Sequence, residues 1–575
     1  MADDALDMKT IESKIRYYAL ENAMKFNGKA NQGAVVGKIL SEFPNAKKNM
    51  GEIGKKISAI LSDVNGTSVD EQKNELLKLN PSYFDEQKEQ KDKRKEERSE
   101  LPELKNTVYG KVITRISPEP SKYNHFGHAI SFLFNHMYAQ KYGGKTILRY
   151  EDTNPEKGAQ EYVDAMNKDV LEYLDIHVAE TIFVSDRLPQ YYDMAGFAIN
   201  SNNAFTCFCT SEMISKDRRE MRDCPCRKKS LDITKEEWQK MLDGKFAEGE
   251  CTLRLKIDMQ HKNAVMRDPV IFRLSYAPHY RQGTKYKVWP MYDFENSVEE
   301  GNYGITHVFR SNEFESRIEL QNYIRQLFSL SNPEIKQYAR FNVVGGETHG
   351  REIRKMIESG EYSGWDDIRL VTLRALKRRG IVKDSYYELA KIIGMSKSVS
   401  DLDFSQIAAV NRRLLDEKAD RFFFIENPIQ IEIDGAPKQE IELDLHPTNK
   451  KGGRKFSTHT KFYVNKKDLN EVKDGEIIRF MDCLNFKING ADFEIDSIEY
   501  EKFKGRGQKL IHFLPYEETL DVEVLMPDNV TIAGLGERNI KILKIGDIVQ
   551  FERFGFARLD EISIDGTYKF WFSHR

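Results

Sequence analysis

Long apolar runs are missing from this chain of 575 residues. Nowhere do about 18 apolar residues follow one another, so no membrane-spanning helix is expected. Cysteine is scarce as well. Six in the whole chain cannot make a disulfide scaffold, and four of them sit close together, which suggests metal in a reducing compartment. Nor does either charge dominate: 88 Lys and Arg against 91 Asp and Glu leave a net charge of −3. Any surface for nucleic acid must then come from local basic patches. The opening MADDALDMKT is acidic and has no apolar centre, unlike a secretory signal. These absences lead to the expectation of a cytosolic protein with no membrane partner. What is present, 40% hydrophobic and 31% charged residues, suits a globular chain. The length suggests roughly three to four domains.

Residues from about 10 to 84 read as helical. SKIRYYALENAMKF spaces its apolar residues along one helical face and stops at Asn27-Gly28, a C-terminal cap. The run DEQKEQKDKRKEERSE, from Asp85 to Glu100, has almost nothing to bury and reads as a solvated spacer. At Lys111 the character changes. KVITRI is strand-like, the turn HFGH follows, AISFLFNHMYAQKYGG is a helix and KTILRYED a second strand. Such a β-turn-α-β unit favours a parallel sheet. A second unit comprises ITHVFR (305–310), the helix SRIELQNYIRQLF (316–328) and the strand YARFNVV (338–344). The intervening residues, with the cysteine cluster, read as an inserted domain. Beyond about Asp420, short strands separated by turn signals predict a barrel or sandwich, and two of them. The expected fold class is multidomain α/β plus all-β. Its divisions are a helical extension (1–84), a charged linker (85–106), an α/β domain in two halves (107–200 and 286–346), an insert (201–285), a loop and helical connection (347–420) and a β-barrel region (421–575).

The stretch PEPSKYNHFGHAISFLF, Pro118 to Phe134, leaves a strand and opens a helix. Open parallel sheets bind ligands beyond the C-terminal ends of their strands. A helix N-terminus there offers unpaired N–H groups and positive potential to phosphate. Gly127 permits close approach of a ligand to the backbone, and His125 and His128 can donate to phosphate oxygens as charge develops. Taken alone, two histidines in a turn are ordinary turn residues.

Their surroundings add to this. TRISPEPSKYNHFGHA resembles the HIGH signature of class I aminoacyl-tRNA synthetases, in the glutamyl/glutaminyl subgroup. LRYEDTNP (Leu148–Pro155), VWPMYDFENSVEEGNYGITHVFRSNE (Val288–Glu313) and SGWDDIRLVTLRALKRRGI resemble that subgroup's further landmarks, in the same order and spacing. The helical extension and the β-rich end resemble the archaeal glutamyl form. The resemblance spans nearly the whole chain. It implies a Rossmann-like catalytic domain, an acceptor-binding insert and β-barrel anticodon-binding modules. It also implies ATP and Mg²⁺, L-glutamate and tRNA(Glu), with tRNA(Gln) a further candidate, and a monomer. His125, Gly127, His128 and Arg351 match the ATP contacts. Arg115, Glu151, Tyr292, Asn296 and Arg310 match the amino-acid pocket. Arginine grips carboxylates bidentately, so two arginines suit a substrate with two acid groups, and Glu151 suits its ammonium. A guanidinium at Arg310 speaks against a glutaminyl enzyme. The plain alternatives are a surface ion pair of Arg310 with Glu313 and a core aromatic at Tyr292.

Departures from the pattern bear on activity. The mobile loop of the subgroup usually reads S-K-R; here those positions are His349, Gly350 and Arg351. Loss of one phosphate-stabilising cation costs on the order of 10² in rate. Arg354 and Lys355 lie nearby, and Lys122 replaces the usual glycine ahead of the HIGH signature. EEGNYG departs from the usual D-D-H-x-x-G. A catalytically weak, tRNA-binding paralogue is therefore the rival expectation. Cys207, Cys209, Cys224 and Cys226 form two C-x-C pairs that can supply four thiolates to structural Zn²⁺; four reduced core cysteines are the alternative. Cys251 and Cys483 read as isolated core residues. Arg369, Arg374, Lys377, Arg378 and Arg379, with the loop HPTNKKGGRKFSTHTK, are expected to meet RNA phosphates.

Overall fold

A computed structural model describes residues 8–86, 100–397, 400–470 and 472–575; most of the charged spacer lies outside them. The chain divides into two compact units between Glu100 and Leu101. The first packs four helices, α1 (Met8–Lys25), α2 (Gln32–Glu42), α3 (Met50–Gly66) and α4 (Val69–Leu79). Their apolar faces supply Ile11, Ile15, Val35, Ile39, Ile53, Ile57 and Leu76 to one core. The turn after α1 carries Asn27 and Gly28 at positive φ, and a Cβ on Gly28 would meet Val69 at 2.9 Å, so glycine is required there. Ser68 and Glu71 form a capping box that starts α4.

The second unit begins with the expected β-turn-α-β. Strand β1 (Ile113–Ile116) leads through the HFGH turn into α5 (Phe126–Lys141), and β2 (Lys145–Tyr150) and β3 (Glu180–Phe183) complete a parallel sheet in the order β1-β2-β3. Gly144 allows the return, because a Cβ there would sit 1.9 Å from the Val112 carbonyl. An antiparallel four-stranded insert follows: β4 (Ala204–Cys207), β5 (Thr252–Leu255), β6 (Val270–Leu274) and β7 (Val288–Pro290). Helix α6 (Tyr292–Asn302) returns the chain to β8 (His307–Ser311), α7 (Ile318–Leu327) and β9 (Glu334–Tyr338), with β8 and β9 parallel. Thr306 joins the halves: its N–H donates to the Ile113 carbonyl at 2.9 Å, and its Oγ1 accepts from the Ile113 N–H at 2.8 Å. One expectation needs correcting. The strand beside β8 is Glu334–Tyr338, whereas Phe341–Val344 pairs in parallel with Ser400–Asp403.

The C-terminal part forms two seven-membered sheets. In one, the ladder starts on Lys509–Ile511 and ends on Leu514–Pro515; in the other it starts on Arg421–Phe422 and ends on Phe424–Glu426. Each pair of ends belongs to one short segment, so each sheet curls round onto itself as a barrel does. The basic helical stretch docks on the second sheet rather than standing free. Arg378 donates to Asp560 at 2.6 and 3.0 Å, Arg379 to the Ser573 carbonyl at 3.1 Å, and Asn411 bonds His574 at 2.8 Å. Arg369 pairs with Asp367 and Arg374 with Asp169. Intramolecular carboxylates and carbonyls thus already hold Arg369, Arg374, Arg378 and Arg379. In HPTNKKGGRKFSTHTK, Lys451 pairs with Asp444 and Arg454 is buried against Glu537.

Candidate active site

His125 is the N-cap of α5, and its Nδ1 accepts from the Gly127 N–H at 3.1 Å. His128, one turn on, accepts from the His125 N–H through its own Nδ1 at 3.2 Å. With both Nδ1 atoms accepting, each neutral ring carries its proton on Nε2. The rings stack with centroids 3.7 Å apart. Burial, with Lys122 and Arg340 nearby, pushes His125 down to about 3, and burial lowers His128 far below its usual range. The motif therefore offers two neutral N–H donors at a helix N-terminus, an arrangement suited to phosphate. A Cβ on Gly127 would come within 3.2 Å of both the His125 ring and Val343, so glycine keeps this surface open.

The second cluster lies at the C-terminal ends of β1, β2 and β8, against the first turns of α6. Arg115, Glu151, Asn296 and Arg310 are all buried there, and Tyr292 stands beside Arg310, its hydroxyl pushed up to about 12 by burial. Arg310 is 5% exposed, yet none of its three guanidinium nitrogens has a hydrogen-bond partner. Glu151 Oε2 and Asn296 Nδ2 are likewise buried without partners. Glu313 is not the counter-ion of Arg310: it takes Arg340 at 3.0 Å. Unsatisfied buried donors facing an unsatisfied buried acceptor mark a place for a ligand of the converse pattern, an anion with a nearby ammonium. Arg115 is different. It donates to Glu300 at 3.1 Å, and Glu300 also receives Arg325 at 2.9 Å. Burial would raise Glu300, but these guanidinium groups outweigh it and hold the carboxyl below its ordinary value.

Sequence reasoning missed Arg149 and Glu295. Arg149 donates through Nε to Glu151 at 2.9 Å and through Nη2 to Asn296 Oδ1 at 2.6 Å, so it orients both. The signal was available: continuing the period-two alternation of β2 one residue past its end puts residues 149 and 151 on the same side. Burial, then the neighbouring Glu151 carboxylate, raise Glu295 well above the carboxylate range. Behind the strand end, Asp152 accepts from the Ser185 N–H at 2.8 Å and Oγ at 2.7 Å, fixing the loop that carries Glu151.

His349 caps α8 (Gly350–Glu358). Lys355 pairs with Glu352 at 3.1 Å and Arg354 lies 3.8 Å from Glu161. Arg351 is exposed and makes no ion pair among the described residues. In the insert, the sulfurs of Cys207, Cys209, Cys224 and Cys226 lie within 4.8 Å of one another. Cys207 and Cys224 are 3.8 Å apart, close to the edge of a tetrahedron with metal–sulfur bonds of about 2.3 Å. Buried Arg254 approaches these two sulfurs at 3.6 and 3.5 Å, a cation placed to offset thiolate charge. Cys251 and Cys483 are buried in other cores.

A parallel sheet interrupted by an insert, with paired histidines at its first helix, is the arrangement of a class I synthetase catalytic domain, and the family match agrees. The family of tRNA synthetases class I (E and Q), catalytic domain, matches residues 111–417, and its anti-codon binding domains match 419–503 and 508–560. The chain belongs to this family. It is 38% identical to a glutamate–tRNA ligase of Pyrococcus furiosus over 96% of this chain and 98% of that one. It is 37% identical to one of Methanobrevibacter smithii over 99% and 100%. A solved glutamate tRNA ligase of Elizabethkingia meningosepticum covers 54% of this chain and 70% of its own, at 18% identity and a TM-score of 0.37.

Proposed function

We propose that the chain is a glutamate–tRNA ligase of archaeal type, charging tRNA(Glu) in an ATP-dependent reaction. An oxygen of the glutamate α-carboxylate attacks the α-phosphorus of ATP, and pyrophosphate leaves. A hydroxyl of the terminal tRNA ribose then attacks the carbonyl carbon of the adenylate, and AMP leaves. His125 and His128 donate Nε2–H to phosphate oxygens, aided by the α5 N-terminus. Arg310 and Tyr292 take the side-chain carboxylate, and Glu151, aligned by Arg149, takes the ammonium. Asn296 donates to a substrate oxygen, Arg115 stiffens the floor through Glu300, and Arg351 faces the phosphates from the loop. Mg²⁺ arrives with ATP and shields its phosphates. Zn²⁺ held by Cys207, Cys209, Cys224 and Cys226 would brace the insert. The proposal extends to a monomer acting in a reducing cytosol, consistent with six free cysteines. No described helix is long and apolar enough to cross a membrane.

The observation that carries this reading is the buried, unpartnered guanidinium of Arg310. A neutral amide side chain would leave that charge unpaired, which disfavours glutamine as substrate. Charging of tRNA with radiolabelled glutamate or glutamine tests it. Glutamate is expected to be accepted and glutamine refused. His128→Ala should lower turnover at least 10²-fold, and Arg310→Gln should raise the KM for glutamate by a similar factor. A chain that binds tRNA but charges neither amino acid would sink the proposal.

A further inference from the structure

Resting on the reading just given, we propose that Lys122 supplies the phosphate-contacting cation that the loop lacks, from the turn packed against that loop. Three observations converge on it. Lys122 lies three residues ahead of His125, in the turn that feeds the α5 N-terminus. Its charge is felt by both signature histidines. On the loop, a Cβ built on Gly350 would lie 3.3 Å from the Lys122 Cβ. Gly350 is the position where the resembled loop pattern carries lysine, and Lys122 the position where the resembled signature carries glycine. The two positions therefore touch, and a side chain at one crowds a side chain at the other. Lysine on the turn and glycine on the loop is the same pair of residues with the sides exchanged.

The surroundings leave Lys122 available. It makes no ion pair among the described residues. Glu119, the carboxylate that bears on it, is engaged by Ser121 Oγ at 3.0 Å and lies 4.0 Å from Lys157. The Lys122 side chain is exposed, and Arg340 and Lys157 add their positive charge to the same place, so an arriving polyphosphate meets several cations at once. The turn is also held in place. Tyr123, the next residue, stacks on Trp365 with centroids 4.6 Å apart, and Arg374 lies 4.6 Å above its ring. Trp365 in turn lies 3.9 Å from the Cβ position of Gly350, so turn and loop pack as one wall. Lysine stabilises such charge as a point ammonium and needs no fork geometry.

The test uses the full chain as wild type, Lys122→Gly, Gly350→Lys and the double variant. Two readouts are taken: the ratio of ATP to AMP affinity without tRNA, and the turnover of tRNA(Glu) charging. Lys122→Gly should lower the ATP-to-AMP ratio about tenfold and turnover about 10²-fold, with the melting midpoint and tRNA affinity unchanged. Gly350→Lys alone should gain nothing, because its side chain meets Lys122. The double variant should regain at least tenfold in turnover over Lys122→Gly. If Lys122→Gly binds ATP and charges tRNA like the wild type, or if the folded double variant is no better than Lys122→Gly, the inference falls. If the wild type charges nothing while Lys122→Gly still lowers the ATP-to-AMP ratio, the inference stands and the ligase reading falls.

Discussion

A histidine ordinarily titrates near pH 6.5; His125 is held at about 3 by burial and by the charges of Lys122 and Arg340. Its consequence for stability follows from which state takes the proton first. Unfolded, the imidazole protonates near 6.5; folded, it resists until about 3. The unfolded chain therefore gains the proton as pH falls. His125 contributes its stability in full above about pH 6.5 and loses it through the window down to about 3, at about 1.4 kcal/mol per pH unit. The imidazole resonances of His125 should keep neutral shifts from pH 8 to pH 5. A His125 signal that titrates near 6.5 would show that the ring is not buried as described, and that phosphate meets a cation there instead.

At the scale of the element, the insert offers the clearest test. Four sulfurs within 4.8 Å of one another, beside the buried Arg254, predict roughly one zinc per purified chain by elemental analysis. Cys224→Ser should lose the metal and open β4 and the following helix to protease, leaving the C-terminal sheets protected. Metal-free wild type with the same protease pattern would argue for a plain cysteine core. The insert also shows what a sequence discloses. C-x-C pairs, the HFGH turn and the alternation of β1 and β2 are local patterns, and they were legible. Strand Glu334–Tyr338 was not, because EIKQY lacks the apolar continuity of a buried parallel strand, while the neighbouring YARFNVV has it. The contacts made by the basic run from Arg369 to Arg379 were hidden for a related reason. Composition reports a charge but not the carboxylate that meets it, and Asp560 lies 182 residues from Arg378. Arg115 and Arg310 read alike in the sequence; only the fold shows that Glu300 takes one and leaves the other empty.

Across the whole second unit, buried ion pairs join modules far apart in the chain. Arg454, on the separate two-stranded hairpin of Gln439–His446 and Lys450–Thr458, donates to Glu537 of the second sheet at 2.6 and 3.1 Å and to Glu552, just beyond one of its strands, at 2.9 Å. Glu537 is fully buried and also accepts from the Phe423 N–H at 2.6 Å. Removing one partner strands the other charge, so Arg454→Leu should cost roughly 3–5 kcal/mol. The urea midpoint of the C-terminal transition should fall, and amides of Phe424–Glu426 should exchange faster. An unchanged midpoint would mean that the hairpin and the second sheet are held by apolar contacts alone.

The docking of Arg378, Arg379 and Asn411 on the last two strands has a consequence for how a long substrate would be judged. Those contacts bolt the catalytic end to the far sheets with charge-assisted bonds, leaving no slack between them. The molecule then behaves as a calliper with its jaws fixed. If the proposed ligase grips its RNA at both places, one lengthened by a few base pairs should be charged more slowly than the natural length, however well each end fits alone; equal charging of both would show that the joint gives.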